Sequence, residues 1–152
     1  MPLPAPAAVF AAANTVALLA WVALGVSLFV PPARRWTWRA TGVLLPALLA
    51  VAYVGALAAG VRGGDPQAGF GSIPAVRALF ANDSALTAGW LHYLAFDLFV
   101  GTAVARAGTA AGVPRLLLVP CLALTFLVGP AGLLAYLLLR LAAGPRAWET
   151  LT

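Results

Sequence analysis

A histidine, a tyrosine and an aspartate lie within six residues of an otherwise apolar stretch, GWLHYLAFDLFVG, at residues 89–101. Ionisable side chains are costly inside a bilayer, and where they occur there they usually pair with one another or face a cavity. A histidine and a carboxylate in one cavity can supply the acid and the base of a proton-transfer reaction. The sequence therefore predicts His92, Asp97 and Tyr93 as the catalytic residues.

Helical geometry decides which of these side chains share a face. One stripe recurs at intervals of four residues: Gly89, Tyr93, Asp97 and Gly101. Small residues above and below let a neighbouring helix approach, so we expect Tyr93 and Asp97 to face protein. His92 lies about 140° around the axis and about 7.5 Å along it from Asp97. We expect the two side chains to line opposite walls of one cavity in the bundle interior.

A purely structural role is the alternative for these residues. A lone histidine can hydrogen-bond to a neighbouring helix without doing chemistry, and one aspartate in a span costs at least about 2.5 kcal/mol to insert. A histidine, a tyrosine and an aspartate so close together favour function over structure. The candidate substrate-binding residues are Trp90, Phe96 and Arg77. Arg77 could also pair with Asp83 or Asp97.

The composition indicates an integral membrane protein. The 152 residues are 63% hydrophobic and 9% charged, which is too little charge to cover a soluble surface. All nine basic residues are arginines placed singly or in small groups between apolar runs, which argues against nucleic-acid binding. The single cysteine, Cys121, excludes an internal disulfide and a multi-cysteine metal site. No metal or cofactor motif is recognisable, so we expect neither.

Four apolar runs are long enough to cross a bilayer, which takes about 20 helical residues. The spans are placed at about 7–30, 41–61, 85–105 and 115–140. Unpaired backbone groups in lipid exclude an open sheet. The sequence predicts an all-α membrane protein, a four-transmembrane-helix bundle that forms a single integral membrane domain over residues 1–152. A short amphipathic segment is predicted between spans two and three.

The linkers carry the expected boundary signals. Pro31 and Pro32 are expected to break the helix after span one, where arginines and tryptophans meet lipid headgroups. The amphipathic segment has four apolar residues at helical spacing: Ile73, Val76, Leu79 and Phe80. The candidate N-caps of span three are Asn82, Asp83 and Ser84. Pro120, Gly129, Pro130 and Gly132 are expected to kink or thin span four.

The arginines give a weak indication of orientation. Four spans place both ends of the chain on one side of the membrane. Five arginines then lie on one side, Arg34, Arg35, Arg39, Arg106 and Arg115, against four on the other, Arg62, Arg77, Arg140 and Arg146. The excess leans towards both ends outside the cell. Arg106 and Arg140 are expected to extend to the headgroups.

Two stretches resemble a known family: FGSIPAVRALFANDSALTAGWLHYLAFDLFVG at 70–101 and PRLLLVPCLALTFLVGPAGLLAYLLLR at 114–140. They are similar to the family of the plant neoxanthin-synthesis protein, the abscisic-acid-deficient type, which is widespread in bacteria as a membrane domain. The resemblance covers about residues 10–141. Its most specific parts are Trp90-x-His92, Asp97-Leu98-Phe99 and GPAGLL at 129–134.

The resemblance implies a carotenoid or other isoprenoid-lipid ligand. Plant members are implicated in converting violaxanthin to neoxanthin, which opens an epoxide to an allene, and the matching positions here are His92 and Asp97. That reaction needs an acid at the oxygen and a base for a carbon-bound proton, and no cofactor. The resemblance therefore implies a cofactor-independent isomerase in a bacterial inner membrane. The expected partners are a membrane lipid or carotenoid, a second copy of the chain, or carotenoid-pathway enzymes.

Two other functions fit the sequence. The first is a non-catalytic membrane protein that binds a lipid or scaffolds another enzyme. The second is a small transporter or proton-conducting unit. Four spans contain one charged intramembrane residue, Asp97, so a conducting pathway would require the chain to oligomerise.

Overall fold

The computed structural model describes residues 4–142, and every regular element within that range is helical. The helices are α1 (Pro6–Ser27), α2 (Pro31–Arg39), a short π-helical stretch (Ala40–Leu44), α3 (Leu45–Arg62), α4 (Ile73–Phe80), α5 (Asp83–Ala110), α6 (Arg115–Val128) and α7 (Pro130–Ala142). The all-α class predicted from the sequence is confirmed.

Three continuous helical stretches in the described range are long and apolar enough to cross a membrane: Pro6–Ser27, Pro31–Arg62 and Asp83–Ala110. They contain the greater part of predicted spans one to three. The predicted fourth span, 115–140, is instead two helices of 14 and 13 residues, α6 and α7. At about 1.5 Å per residue each is about 20 Å long, short of the hydrocarbon core of about 30 Å. The four-span count is therefore not confirmed.

The helix breaks at the prolines as the sequence predicted, because α1 ends at Ser27 and α2 begins at Pro31, but the linker that follows is itself helical. Both prolines lie in the first turn of α2, where a missing N–H costs nothing because the first turn has no intrahelical acceptor for it. Helix α2 continues through the π-helical stretch into α3, so one helix runs over Pro31–Arg62. The second membrane-length helix therefore begins well before residue 41.

The turn between α1 and α2 is held by Arg34. Its Nε donates to the carbonyl of Ser27 (3.1 Å) and its Nη2 to the carbonyl of Leu28 (2.7 Å). Trp38 Nε1 donates to Ser27 Oγ at 3.1 Å. Cationic side chains satisfy the unpaired carbonyls at a helix C-terminus. Arg34 therefore terminates α1, a role that the headgroup expectation for this linker did not include.

The segment between the second and third membrane-length helices follows the sequence prediction. The amphipathic stretch forms α4, capped by Ser72, whose Oγ accepts from the backbone N–H of Ala75 at 3.3 Å. Asn82 caps α5, because its Oδ1 accepts from the N–H groups of Ser84 (2.9 Å) and Ala85 (3.2 Å). Asn82 is therefore the N-cap among the three candidates.

The chain divides into two compact units. The first unit is Met1–Ala17 with Ala47–Ala95, and the second is Leu18–Pro46 with Phe96–Thr152. Helices α1, α3 and α5 contribute residues to both. The first unit buries a core of Ala13, Ala17, Leu49, Leu91, Leu94 and Ala95. The second unit buries a larger core that includes Trp21, Leu24, Leu28, Leu98, Leu118 and Tyr136.

Within the first unit, Gly60 of α3 lies directly against Ala85 of α5. A Cβ at Gly60 would lie 2.6 Å from the Ala85 backbone nitrogen and 2.8 Å from its Cβ. Lipid tails are as apolar as leucine, so helices in a bilayer associate largely through close packing at small residues. Gly60 therefore sets how closely α3 and α5 approach.

We expect Gly60→Ala to lower the free energy of unfolding by about 1–3 kcal/mol, because the added methyl group meets backbone that cannot rotate away. Gly55→Ala, on the same helix, is the matched control, because a Cβ at Gly55 meets nothing within 4 Å. It should be neutral or slightly stabilising, since alanine is the better helix former. Thermal unfolding in detergent measures both variants, and equal midpoints would contradict the close contact.

Candidate functional site

Helices α6 and α7 pack against each other as a hairpin. Near the start of α6, Leu118 packs against Gly108 of α5. Near the end of α7, Arg140 Nη1 donates to the carbonyl of Ala107, the neighbouring residue of α5, at 3.3 Å. Both open ends of the hairpin therefore meet the same turn of α5. The chain reverses at Gly129 rather than continuing as one kinked span.

The tip of the hairpin touches Asp97, which lies midway along α5. A Cβ at Gly129 would lie 2.6 Å from Asp97 Oδ1 and 3.0 Å from Oδ2. Gly129 also has a positive φ of 32°, a backbone conformation that residues with a side chain rarely adopt. Gly132 contacts Thr125 across the bend. Asp97 is half-buried, as the stripe of small residues predicted.

Two helix ends meet the Asp97 carboxylate at this tip. Helix α7 begins at Pro130, and a helix N-terminus stabilises a nearby negative charge. Helix α6 ends at Val128, and its C-terminal carbonyls oppose that effect. The helix dipoles therefore do not by themselves explain an aspartate here. The Asp97 carboxylate does explain the glycine, because it lies so close to position 129 that a side chain there would collide with it.

His92 lies in the first unit and lines a recess of about 230 Å³. The other lining residues are Tyr53, Leu57, Phe70, Leu79, Phe80, Ala85 and Gly89. The rings of His92 and Tyr53 lie 5.7 Å apart, tilted by 52°. The His92 side chain is exposed at the mouth of this recess rather than placed in the bundle interior as expected. The recess is therefore aromatic and apolar, with one imidazole and one phenol in it.

Trp90 and Tyr93 belong to a second aromatic group in the first unit. The Trp90 ring lies 5.3 Å from Phe10 and 5.4 Å from Tyr93. Its Nε1 donates to Asn14 Oδ1 at 3.0 Å, which joins α5 to α1. Tyr93 is half-buried and packs against the first unit's core. This group accounts for both side chains through packing.

The remaining predicted residues are exposed. Phe96 exposes 60% of its side chain, and Arg77 lies on the exposed face of α4, outside the lining of the His92 recess. His92 falls in the first unit and Asp97 in the second. The single cavity that would join them, and their catalytic roles, stay predictions.

Sequence reasoning missed two residues that the structure places beside the predicted ones. Tyr53, in AVAYVG, shares the His92 recess, and Asn14, in AANTVA, accepts the Trp90 hydrogen bond. The signal was present, because polar side chains inside apolar spans usually have a partner or line a cavity. A search limited to charged residues does not find Tyr53 or Asn14.

A larger groove of about 620 Å³ lies in the second unit among α2, α5 and α7. Its lining is mostly apolar, with Trp38, Arg106 and Tyr136 as the polar or amphipathic members. Arg106 is exposed, consistent with the headgroup expectation. Arg140 differs from that expectation: it is fully buried, and its Nη1 also donates to the Tyr136 hydroxyl at 3.0 Å. The buried Arg140 side chain therefore holds the open end of the hairpin against α5 through its hydrogen bond to the Ala107 carbonyl.

Within residues 4–142 no three histidine, cysteine or acidic side chains cluster as a metal site would require. The candidate residues are instead an imidazole, phenols and a carboxylate, which transfer protons or form hydrogen bonds.

Three membrane-length apolar helices and a shorter helical hairpin indicate a helical membrane protein. The chain belongs to the ABA4-like (ABA DEFICIENT 4-like) family, which it matches over residues 8–136. The resemblance seen at 70–101 and 114–140 is thereby confirmed. No curated protein and no solved structure matches the chain.

Replacing Gly129 tests the contact at the hairpin tip. We expect Gly129→Ala to lower the free energy of unfolding by about 2–4 kcal/mol, from the positive φ together with the collision with Asp97. Gly112→Ala is the control, because Gly112 has a φ of +71° but nothing within 4 Å of an added Cβ. It should cost only the conformational part, about 1–2 kcal/mol.

A double-mutant cycle separates the two parts of the Gly129 effect. In an Asp97→Ala background the collision is absent, so Gly129→Ala should cost less there than it costs in the wild-type protein. An unchanged penalty in that background would show that Asp97 does not restrict this position.

Proposed function

We propose that this protein is a membrane isomerase of a carotenoid or other isoprenoid lipid, acting by acid–base chemistry like the neoxanthin-synthesis members of its family. The observation that carries the proposal is the His92 recess in a chain of the ABA4-like family. An imidazole at the mouth of an aromatic, apolar recess can meet an apolar substrate and exchange a proton with it. Opening an epoxide to an allenic alcohol changes neither composition nor oxidation state.

The recess suits one end of a long lipid. Pockets that enclose a whole drug-sized ligand measure about 300–1,000 Å³, and this one measures about 230 Å³. It would hold a terminal ring while the polyene lies in the surrounding lipid. One group gives a proton to the epoxide oxygen as the C–O bond breaks, and another takes the proton from the neighbouring carbon. His92 and Tyr53 are the two ionisable side chains of the recess and would share these steps.

Asp97 and Tyr93 remain proposed members of the catalytic set, with different support. Asp97 contacts Gly129 at the hairpin tip, and Tyr93 packs beside Trp90. Both contacts favour positioning over direct proton transfer. Trp90, Phe96 and Arg77 remain proposed substrate contacts, and the exposed Phe96 ring can meet a lipid-borne polyene directly.

A lipid-binding protein without catalysis is the second candidate. The apolar groove of about 620 Å³ in the second unit favours it, because that volume suits one lipid chain without any reaction. The two candidates differ in one outcome, since only the isomerase yields a product with the substrate's mass and a different spectrum.

The test reconstitutes the purified protein in liposomes that contain a 5,6-epoxycarotenoid. We expect wild-type protein to form an isomer of identical mass that chromatography and absorption separate from the substrate. His92→Gln should lower the rate by about 100-fold or more, as for loss of a general acid or base. Retention of the pigment without any conversion by wild-type protein would favour the lipid-binding function instead.

Two conservative tyrosine variants locate the site. Tyr53→Phe and Tyr93→Phe each remove one hydroxyl group, but only Tyr53 lines the recess. A loss of rate confined to Tyr53→Phe supports the recess, and a loss confined to Tyr93→Phe supports the Tyr93 prediction. Asp97→Asn should retain conversion if the carboxylate only positions the hairpin.

We further infer that α1, the Pro31–Arg62 helix and α5 cross the membrane, whereas the α6–α7 hairpin re-enters it. Non-helical backbone at membrane depth is tolerated where protein buries it, as at Gly129. Arg140 then lies at the end of α5 that carries Arg106, not on the opposite side. Six described arginines occupy one side, Arg34, Arg35, Arg39, Arg106, Arg115 and Arg140, against Arg62 and Arg77 on the other. That excess supports an orientation with the α1–α2 turn in the cytoplasm and the start of α1 outside.

Single-cysteine labelling tests this orientation in a Cys121→Ala background. A membrane-impermeant maleimide added to intact bacterial cells should label Gln67→Cys, in the α3–α4 linker, and not Ala33→Cys, near the α1–α2 turn. Lysed cells, in which both sites become accessible, provide the control. The reverse labelling pattern would contradict the orientation.

A further inference from the structure

The two turns at one end of the second unit enclose a polar recess of about 600 Å³. It lies between the α1–α2 turn and the α5–α6 turn, apart from the His92 recess and the apolar groove. Its lining comprises Phe29, Arg34, Thr109, Gly112, Val113, Pro114, Arg115 and Leu116. Two of these side chains are positively charged, and none is acidic.

The polar groups of this recess are all hydrogen-bond donors or can act as donors. Arg34 uses Nε and Nη2 on the carbonyls of Ser27 and Leu28, and Nη1 enters no hydrogen bond found among residues 4–142. Thr109 also lines the recess, but its Oγ1 is buried and does not face it. Arg115 is exposed at the first position of α6, which has no side-chain cap. Helix N-termini and guanidinium groups both favour an anion.

The apolar part of the lining limits what that anion is attached to. Phe29 and Leu116 are 48% and 77% exposed beside the arginines. A ligand with a phosphate at one end and hydrocarbon at the other would satisfy both kinds of surface. Arginine is the side chain best suited to phosphate, because its planar fork can donate two parallel hydrogen bonds.

We propose that this recess binds a phosphate group, supplied by the headgroup of an anionic membrane lipid, with Arg34 and Arg115 as its ligands. Arg34 then has two roles. Its Nε and Nη2 donate to carbonyls at the end of α1, and its Nη1 donates to the phosphate. The site is independent of the proposed isomerase chemistry. It holds whether or not His92 transfers a proton.

The test measures binding of dioleoylphosphatidylglycerol to the purified full chain in detergent by native mass spectrometry. Arg115→Gln should weaken binding by about tenfold, because a charged hydrogen bond is lost. Arg35→Gln is the matched control, since Arg35 lies on the same helix as Arg34 but outside the lining. It should change binding by no more than about threefold, as for a screened surface charge. Equal losses in the two variants would overturn the site in favour of general attraction.

Two further arms identify the ligand. Dioleoylglycerol, which lacks the phosphate, should bind at least about tenfold more weakly than the phospholipid, and equal retention would overturn the proposal. Excess inorganic phosphate that displaces the lipid would show a phosphate site open to soluble anions. Failure to displace it would show that the site needs the lipid-borne group.

A second variant keeps the proposal testable if Arg115→Gln does not fold. Arg115→Lys keeps the positive charge but loses the planar fork that can donate two parallel hydrogen bonds to a phosphate. It should weaken phosphatidylglycerol binding by about threefold or more. Unchanged binding in a folded Arg115→Lys protein would remove the guanidinium contact and overturn the site as proposed.

Discussion

The contact between the Asp97 carboxylate and Gly129 is the constraint on which the second half of this protein depends. A carboxylate in the middle of a membrane helix almost always faces the bundle interior or a water-filled cavity. In the proposed re-entrant topology the chain reverses at membrane depth, where its non-helical backbone must likewise be covered. One contact meets both needs, because the carboxylate lies against the tip at which α6 ends and α7 begins. Glycine at 129 allows both the close approach and the positive φ.

The sequence predicted the faces of α5 better than it predicted the path of the chain. Two glycines marked the ends of the protein-facing stripe, and the structure packs Gly89 against Phe80 and Gly101 against Trp21. The same logic failed for 115–140, because no charged residue between Arg115 and Arg140 marks a reversal. Pro130 was interpreted as part of a kink, although proline also begins helices. Pro31 shows the same ambiguity at the start of α2.

The surroundings of His92 were beyond the reach of helical periodicity. Periodicity gives the angle of a residue about its own helix, but the neighbours that cover it belong to other elements. Phe70 comes from the α3–α4 linker, Phe80 from α4 and Tyr53 from α3. The positions of these residues relative to His92 depend on the turns between the helices, which the periodicity of α5 does not describe. His92 was identified as a candidate from its residue type, whereas the recess around it is visible only in the structure.

The exposure of His92 is compatible with the proposed catalysis on a membrane lipid. A ligand dissolved in the bilayer approaches from the side, so a site sealed inside the helices would need them to separate before binding. A shallow aromatic recess avoids that step and leaves most of a long polyene in lipid. The cost is weaker enclosure, because a recess of about 230 Å³ contacts only one end of such a ligand. Specificity would then come from the shape of that end, which is where an epoxide-bearing ring differs from the hydrocarbon around it.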